Sequence, residues 1–315
     1  MTRLIPTCAN LHAAFVLPDS PAVTFASGKK QIGAIMRVKI VVLTVAMFLP
    51  QILQAQLNHP CGLAFDSGGN LWVANSGDNQ VLELNPANGS VLATISLGLN
   101  NPQRIAFDRY GTLFVANNSS SNVTIYRNLQ LIATVASSGI QNPLGIAAGD
   151  YDEFYVANNS GNSISVFNID GELLETLTAD QSGFLFTAPG ALAIRGSNLY
   201  AGFGPGFGEN AVISYNAAEF LTKNPAEKRV YTDFVNTGPT GIAFDSSGNV
   251  YVSDFYSNTA VRFNTQGVLS LVISKGIAQP EGIAVDKSGN IFVSNATPND
   301  ITVYNAEGTL IRTLK

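Results

Sequence analysis

One phrase recurs along this 315-residue chain. "PCGLAFDSGGNLWVAN" begins at Pro60, "PTGIAFDSSGNVYVSD" at Pro239 and "PEGIAVDKSGNIFVSN" at Pro280. The leading proline also stands at Pro102, Pro143 and Pro189. Successive anchors are therefore 42, 41, 46, 50 and 41 residues apart, and six copies fill the chain from Pro60 to Lys315. A unit repeated at this period must be stacked, because one copy is too small to bury its own apolar faces while neighbours bury each other's.

Each copy reads as four strands. The first is short and apolar on both faces, as in Leu63-Ala64-Phe65 and Ile242-Ala243-Phe244. An Asp-x-x-Gly turn follows at Asp66, Asp108, Asp245 and Asp286. The aspartate accepts backbone N–H groups there, and the glycine supplies the positive φ of a tight hairpin. The second strand is again apolar (Leu71-Trp72-Val73, Val250-Tyr251-Val252), the third alternates at period two (Ile301-Thr302-Val303-Tyr304), and the fourth is the most variable. Apolarity that falls outward predicts a first strand at a crowded axis and a last strand at a rim. The fold class predicted is all-β: a six-bladed β-propeller of four-stranded antiparallel blades, spanning residues 57–315.

A signal peptide is expected ahead of it. Met36, Arg37 and Lys39 open a basic stretch, Ile40–Phe48 is apolar, Pro50 breaks it, and cleavage is expected after Ala55 or Gln56. The apolar run falls short of the roughly 20 residues a membrane span needs. The signal peptide is assigned to residues 36–56 and an upstream extension with a misplaced start to residues 1–35. Their removal takes five basic residues and one acid, moving the net charge from −5 to −9 and leaving Cys61 as the one cysteine. An acidic chain with 12% charged residues offers nothing to neutralise a run of phosphates, so no nucleic-acid partner is expected. The expected protein is secreted or periplasmic, a monomer, with no membrane span after processing.

The phrase Pro-x-Gly-Ile-Ala-Phe-Asp-x-x-Gly-Asn-x-Tyr-Val resembles the NHL repeat, a family that forms six-bladed propellers, and the likeness covers the whole chain from Pro60. It is more distantly similar to the gluconolactonase (regucalcin-like) propellers, which place metal-binding Glu, Asn and Asp residues at the position of x. Here x reads Cys61, Gln103, Leu144, Gly190, Thr240 and Glu281. Glu281 is the one metal ligand the resemblance suggests, and a hard cation normally takes several oxygen ligands, charged ones among them.

Features shared by every copy serve stacking. The asparagines at the second-strand exits (Asn75, Asn117, Asn158, Asn295, with Asp254) and those further into each loop (Asn79, Asn122, Asn162, Asn258, Asn299) are expected to bond their own loop backbones. Function belongs where copies differ. The channel-mouth candidates are Gln103, Arg104 (in place of the anchor glycine), Thr240 and Glu281, with Arg104 and Glu281 expected to pair across the opening. The loop-contact candidates are Phe203 and Phe207 in "GFGPGFGEN" and Asp254. The fourth copy also adds Lys223, Lys228 and Arg229 in a longer hairpin.

A single histidine beyond the leader, His59, disfavours histidine-based catalysis. The function expected is a non-catalytic binding scaffold that takes a protein, peptide or carbohydrate at the channel-mouth face without a cofactor. The alternative is an enzyme: a gluconolactonase-like hydrolase using Ca2+ or another divalent ion, or a lyase like virginiamycin B lyase.

Overall fold

The computed structural model describes residues 56–149, 152–204, 211–231 and 238–315. The upstream extension and signal peptide expected over residues 1–56 lie outside them, Gln56 excepted. Among the described residues no helix is long and apolar enough to cross a membrane.

Each anchor proline opens a strand: β1 (Pro60–Phe65), β5 (Pro102–Phe107), β9 (Pro143–Ala148), β13 (Pro189–Arg195), β17 (Pro239–Phe244) and β21 (Pro280–Val285). Each of these leads an antiparallel meander of four strands taken wholly from its own copy, six sheets in all. In blade one the others are β2 (Leu71–Asn75), β3 (Gln80–Leu84) and β4 (Val91–Ile95). The six leading strands pack side by side in the cycle β1–β5–β9–β13–β17–β21 and back to β1, which closes the ring.

The turns form for the reason their residues suggest. Asp66 Oδ1 accepts the amide of Asn70 at 2.9 Å, Asp245 that of Asn249 at 2.9 Å and Asp286 that of Asn290 at 2.8 Å. Gly69, Gly248 and Gly289 sit at φ of +86°, +95° and +84°.

The core is six layers, one between each pair of blades. Val73, Leu82 and Leu84 meet Phe292, Ile301 and Val303 across the seam of blades six and one, and comparable clusters fill the other five interfaces. The second strand is the most enclosed, with all five residues of β2 buried, while β4 alternates and is half exposed. The first strand yields its tail end to the turns, so burial peaks one strand out from the axis.

Glycine in the anchor answers to the narrowing of the ring. A Cβ at Gly62 would stand 2.7 Å from Arg104 Cα and from the Gln103 carbonyl of the next blade. At Gly282 it would collide with the Cys61 carbonyl across the seam. Neighbouring leading strands approach too closely there for any side chain pointing sideways.

The loop asparagines are structural, as expected, but their bonds reach further than their own loops. Asn75, Asn117, Asn158 and Asn295 are fully or almost fully buried. Their Oδ1 atoms accept the amides of Asn58, Asn100, Gln141 and Ala278, in the segment that enters the same blade. The second set bridges blades. Asn79 Oδ1 accepts the amide of Asn101 at 2.6 Å, Asn162 that of Ala188, Asn258 that of Gln279, and Asn299 that of His59 at 2.8 Å. In blade two Ser121 fills this role, not Asn122. The residues so held all precede an anchor proline and all have positive φ, from 42° at Ala188 to 53° at Asn101. That conformation is costly for a non-glycine residue, and the side-chain bond helps offset it.

Candidate functional site at the channel mouth

Arg104 decides the geometry of the axis. In blades one, three, five and six the third anchor position is glycine and in blade four it is Ala191, so blade two alone carries a long side chain at that position. Arg104 Nε donates to the Thr240 carbonyl of blade five at 2.9 Å. Nη1 donates to its neighbour's carbonyl at Gln103, 3.1 Å away. Nη2 donates to both the carbonyl and Oε2 of Glu281 in blade six, each at 3.0 Å. The side chains of Arg104 and Glu281 are 11% and 15% exposed. The expected pair across the opening is therefore present, and its guanidinium donates to groups on three blades.

This plug divides the axial space. On one side lies a narrow space of about 40 Å³ lined by Leu63, Ile105, Ile146, Leu192, Ile242 and Ile283. On the other a pocket of about 410 Å³ occupies the mouth. Its floor is built from the variable anchor positions Gln103, Leu144, Gly190, Thr240 and Glu281, with Arg104 among them. Cys61, the sixth, is fully buried beside them, with its Sγ 3.3 Å from His59 Nδ1. Burial first, then the Glu281 charge, pushes its thiol up to about 11.

The pocket wall was missed in the sequence. Phe255 and Tyr256 line it, their rings edge-to-face at 5.4 Å, and Tyr256 is 57% exposed. The signal was available: other copies carry small or polar residues after the exit position (Ser76-Gly77, Asn118-Ser119, Asn159-Ser160), whereas the fifth carries two aromatics. Asn159 and Gly238 complete this side, and the Tyr256 ring lies where a Cβ on Gly238 would stand.

The loop candidates fall elsewhere. Phe203 is not a contact residue. It is fully buried at the end of β14 (Asn198–Phe203), opposite Pro189, where the other blades place their ring asparagine or aspartate. Its ring meets Phe184 at 5.2 Å and Phe186 at 5.5 Å, so blade four exchanges a polar network for an aromatic cluster. Phe207 lies outside the described residues. Asp254 is fully buried, Oδ1 accepting the Gly238 amide at 3.0 Å, and presents nothing to solvent. Of the added cations, Lys223 pairs with Glu175 at 2.9 Å, and that bond holds the carboxyl below its ordinary range. Among the described residues no three His, Cys, Asp or Glu side chains converge as metal ligands.

Comparison with known proteins agrees with the architecture. Residues 236–262 match the NHL repeat. The chain is a six-bladed propeller carrying that repeat. It is similar in structure to virginiamycin B lyase from Staphylococcus aureus, with 16% identity, a TM-score of 0.61, and 82% of this chain and 85% of that one covered. It is also similar to Kuenenia stuttgartiensis hydrazine synthase, at 15% identity and a TM-score of 0.62, covering 82% of this chain and 99% of that one. A streptogramin B lyase structure aligns at 17% identity and a TM-score of 0.61, over 84% and 85% of the two chains. At such identities the likeness establishes the fold alone. No curated protein matches the chain in sequence.

Proposed function

We propose that the protein is a non-catalytic binding module that takes a neutral polar ligand, best a carbohydrate, at the channel mouth. The observation that carries this reading is the plugged pocket. Arg104 and Glu281 neutralise each other in its floor, while Gln103, Asn159 and Thr240 offer uncharged hydrogen-bonding groups. The exposed Tyr256 ring supplies a flat face of the kind sugar rings lie on. We further propose that it works outside the cytoplasm, on the strength of the basic and apolar run from Met36 to Phe48.

The test is a glycan array probed with the full chain, with a peptide array in parallel. Binding to a neutral glycan that Tyr256→Ala and Gln103→Ala abolish supports the reading. Binding confined to peptides would move the ligand class, and no binding on either array would sink the proposal.

An enzyme remains the second reading because two of the similar structures are described as lyases. One structure of the Staphylococcus aureus lyase carries a histidine-to-alanine change and is described as catalytically inactive. In this chain the one described histidine, His59, faces Cys61 and does not line the pocket. Calorimetric titration with Ca2+, together with assays for lactone hydrolysis and for cleavage of a streptogramin B, separates the readings. Micromolar binding lost in Glu281→Gln, with metal-dependent turnover, would make the protein a hydrolase.

A further inference from the structure

On the face opposite the mouth, where each Asp-x-x-Gly turn lies, the clefts between blades carry contrasting charge. Between blades one and two the cleft is acidic, lined by Asp66, Glu83, Trp72 and Phe107. Burial, with Asp66 adding to it, raises the Glu83 carboxyl. The corresponding cleft between blades four and five has a volume of about 330 Å³ and is lined by Arg195, Lys228, Arg229, Tyr200 and Tyr231, with no carboxylate among the described residues that line it.

One acid position is reversed and another is neutral, with a new cation opposite it. Arg195 stands six residues after its anchor proline, where Asp66, Asp108, Asp245 and Asp286 stand in four other copies. Arg229 lies opposite Ser214 where blade one has Ala93 opposite Glu83. Both guanidiniums cross onto blade five and donate to main-chain carbonyls, Arg195 Nη2 to Ser246 at 3.2 Å and Arg229 Nη1 to Thr265 at 2.7 Å. Each passes over a turn glycine, Gly248 or Gly267, whose Cβ would block it. Lys228 Nζ donates to Asn198 Oδ1 at 2.8 Å. None of the three forms an ion pair among the described residues.

Bridging by itself is structural, since Arg262 and Arg312 reach neighbouring blades in the same way. Three cations gathered in one cleft, each held by a neutral acceptor, are something more. Each guanidinium spends one bond on orientation and keeps further N–H groups for a planar or tetrahedral oxyanion.

We propose that the cleft between blades four and five is a second binding site, for a small molecule bearing a phosphate or sulfate group. Tyr200 and Tyr231 form the wall against which the rest of such a molecule lies. The site is independent of the mouth pocket.

Calorimetric titration of the full chain at low ionic strength, with sodium pyrophosphate, sodium sulfate, glucose 6-phosphate and glucose, tests it. Saturable one-to-one binding of an oxyanion is expected, weakening as NaCl is raised. Arg195→Asp, which restores the residue of the other copies, should weaken it roughly tenfold or more. Lys228→Ala, at an exposed position, should weaken it severalfold, and Tyr256→Ala at the mouth should leave it unchanged. A preference for pyrophosphate or for sulfate supports the site and names its natural chemistry. Absence of saturable binding, equal binding of glucose and glucose 6-phosphate, or full affinity in Lys228→Ala would each overturn the proposal.

Discussion

Where the anchor glycines let neighbouring strands approach, Arg104 ties three leading strands together across the axis. Replacing it with alanine leaves the Glu281 carboxylate and the Thr240 carbonyl without their donor in a nearly closed space. Breaking such a pair costs on the order of 3 kcal/mol, which for a domain of this size lowers Tm by about 6–12 °C. Glu281→Gln keeps an acceptor and should cost less, about 1 kcal/mol. Thermal melts of the two variants check both the size and the order. Cys61 offers a second residue-scale test. Its folded thiol is raised to about 11 from 9.0 by burial, so between those values the folded chain holds the proton more tightly than the unfolded one. The stability this contributes is complete below pH 9 and is lost as pH rises toward 11. In a Cys8→Ser background, melts from pH 8 to 11 should fall more steeply with Cys61 than with Cys61→Ala. Equal slopes would show that the thiol does not couple to folding.

At the scale of the element, the leading strand and its turn were legible because each residue answers a local demand. Asp66 and Gly69 mark their hairpin as plainly in the sequence as in the structure, since a turn is made by residues adjacent in the chain. The role of the loop asparagines was half legible: their recurrence showed that they were structural, but the partners of the second set lie in another copy. Asn299→Ala removes the bond that holds His59 across the seam and should cost about 1 kcal/mol or less. Gly282→Ala places a Cβ against the Cys61 carbonyl and should cost about 1–3 kcal/mol by overpacking. Denaturant titrations of the two variants should therefore rank Gly282→Ala as the more damaging. Blade four misled for a physical reason. Phe203 reads as a loop aromatic among glycines, yet the long connection before it supplies Phe184 and Phe186, and the three rings close a core no local pattern reveals.

For the whole molecule the decisive feature is the seam. Many rings could be fastened by a strand shared between first and last blades; here β21 to β24 (Leu310–Leu314) come from one copy. The seam is held by the apolar layer of blades six and one, by Asn299 on His59, and by Arg312 on the Pro86 carbonyl at 2.9 Å. Deleting residues 309–315 removes β24 and bares the edge of β23 (Asp300–Tyr304), a template for pairing with another chain. The truncated protein should melt at lower temperature and elute as larger species from a sizing column. A monomer of unchanged Tm would show that the outer strand is dispensable to closure.

What the sequence determined by itself was the repeating frame: six units, four strands each, their turns, and a ring as the one way to bury both faces of every unit. Periodicity survives in one dimension because each copy meets the same neighbours. What the tertiary structure decided was everything that occurs once. Arg104 and Glu281 were candidates for a pair, but only the narrowing of the axis brings Thr240 into the same contact and turns the pair into a plug. Phe255 and Tyr256 became a pocket wall, and Arg195, Lys228 and Arg229 a single cleft, only when blades distant in sequence were set side by side. Local propensity carries no record of which side chains a closed ring will bring face to face.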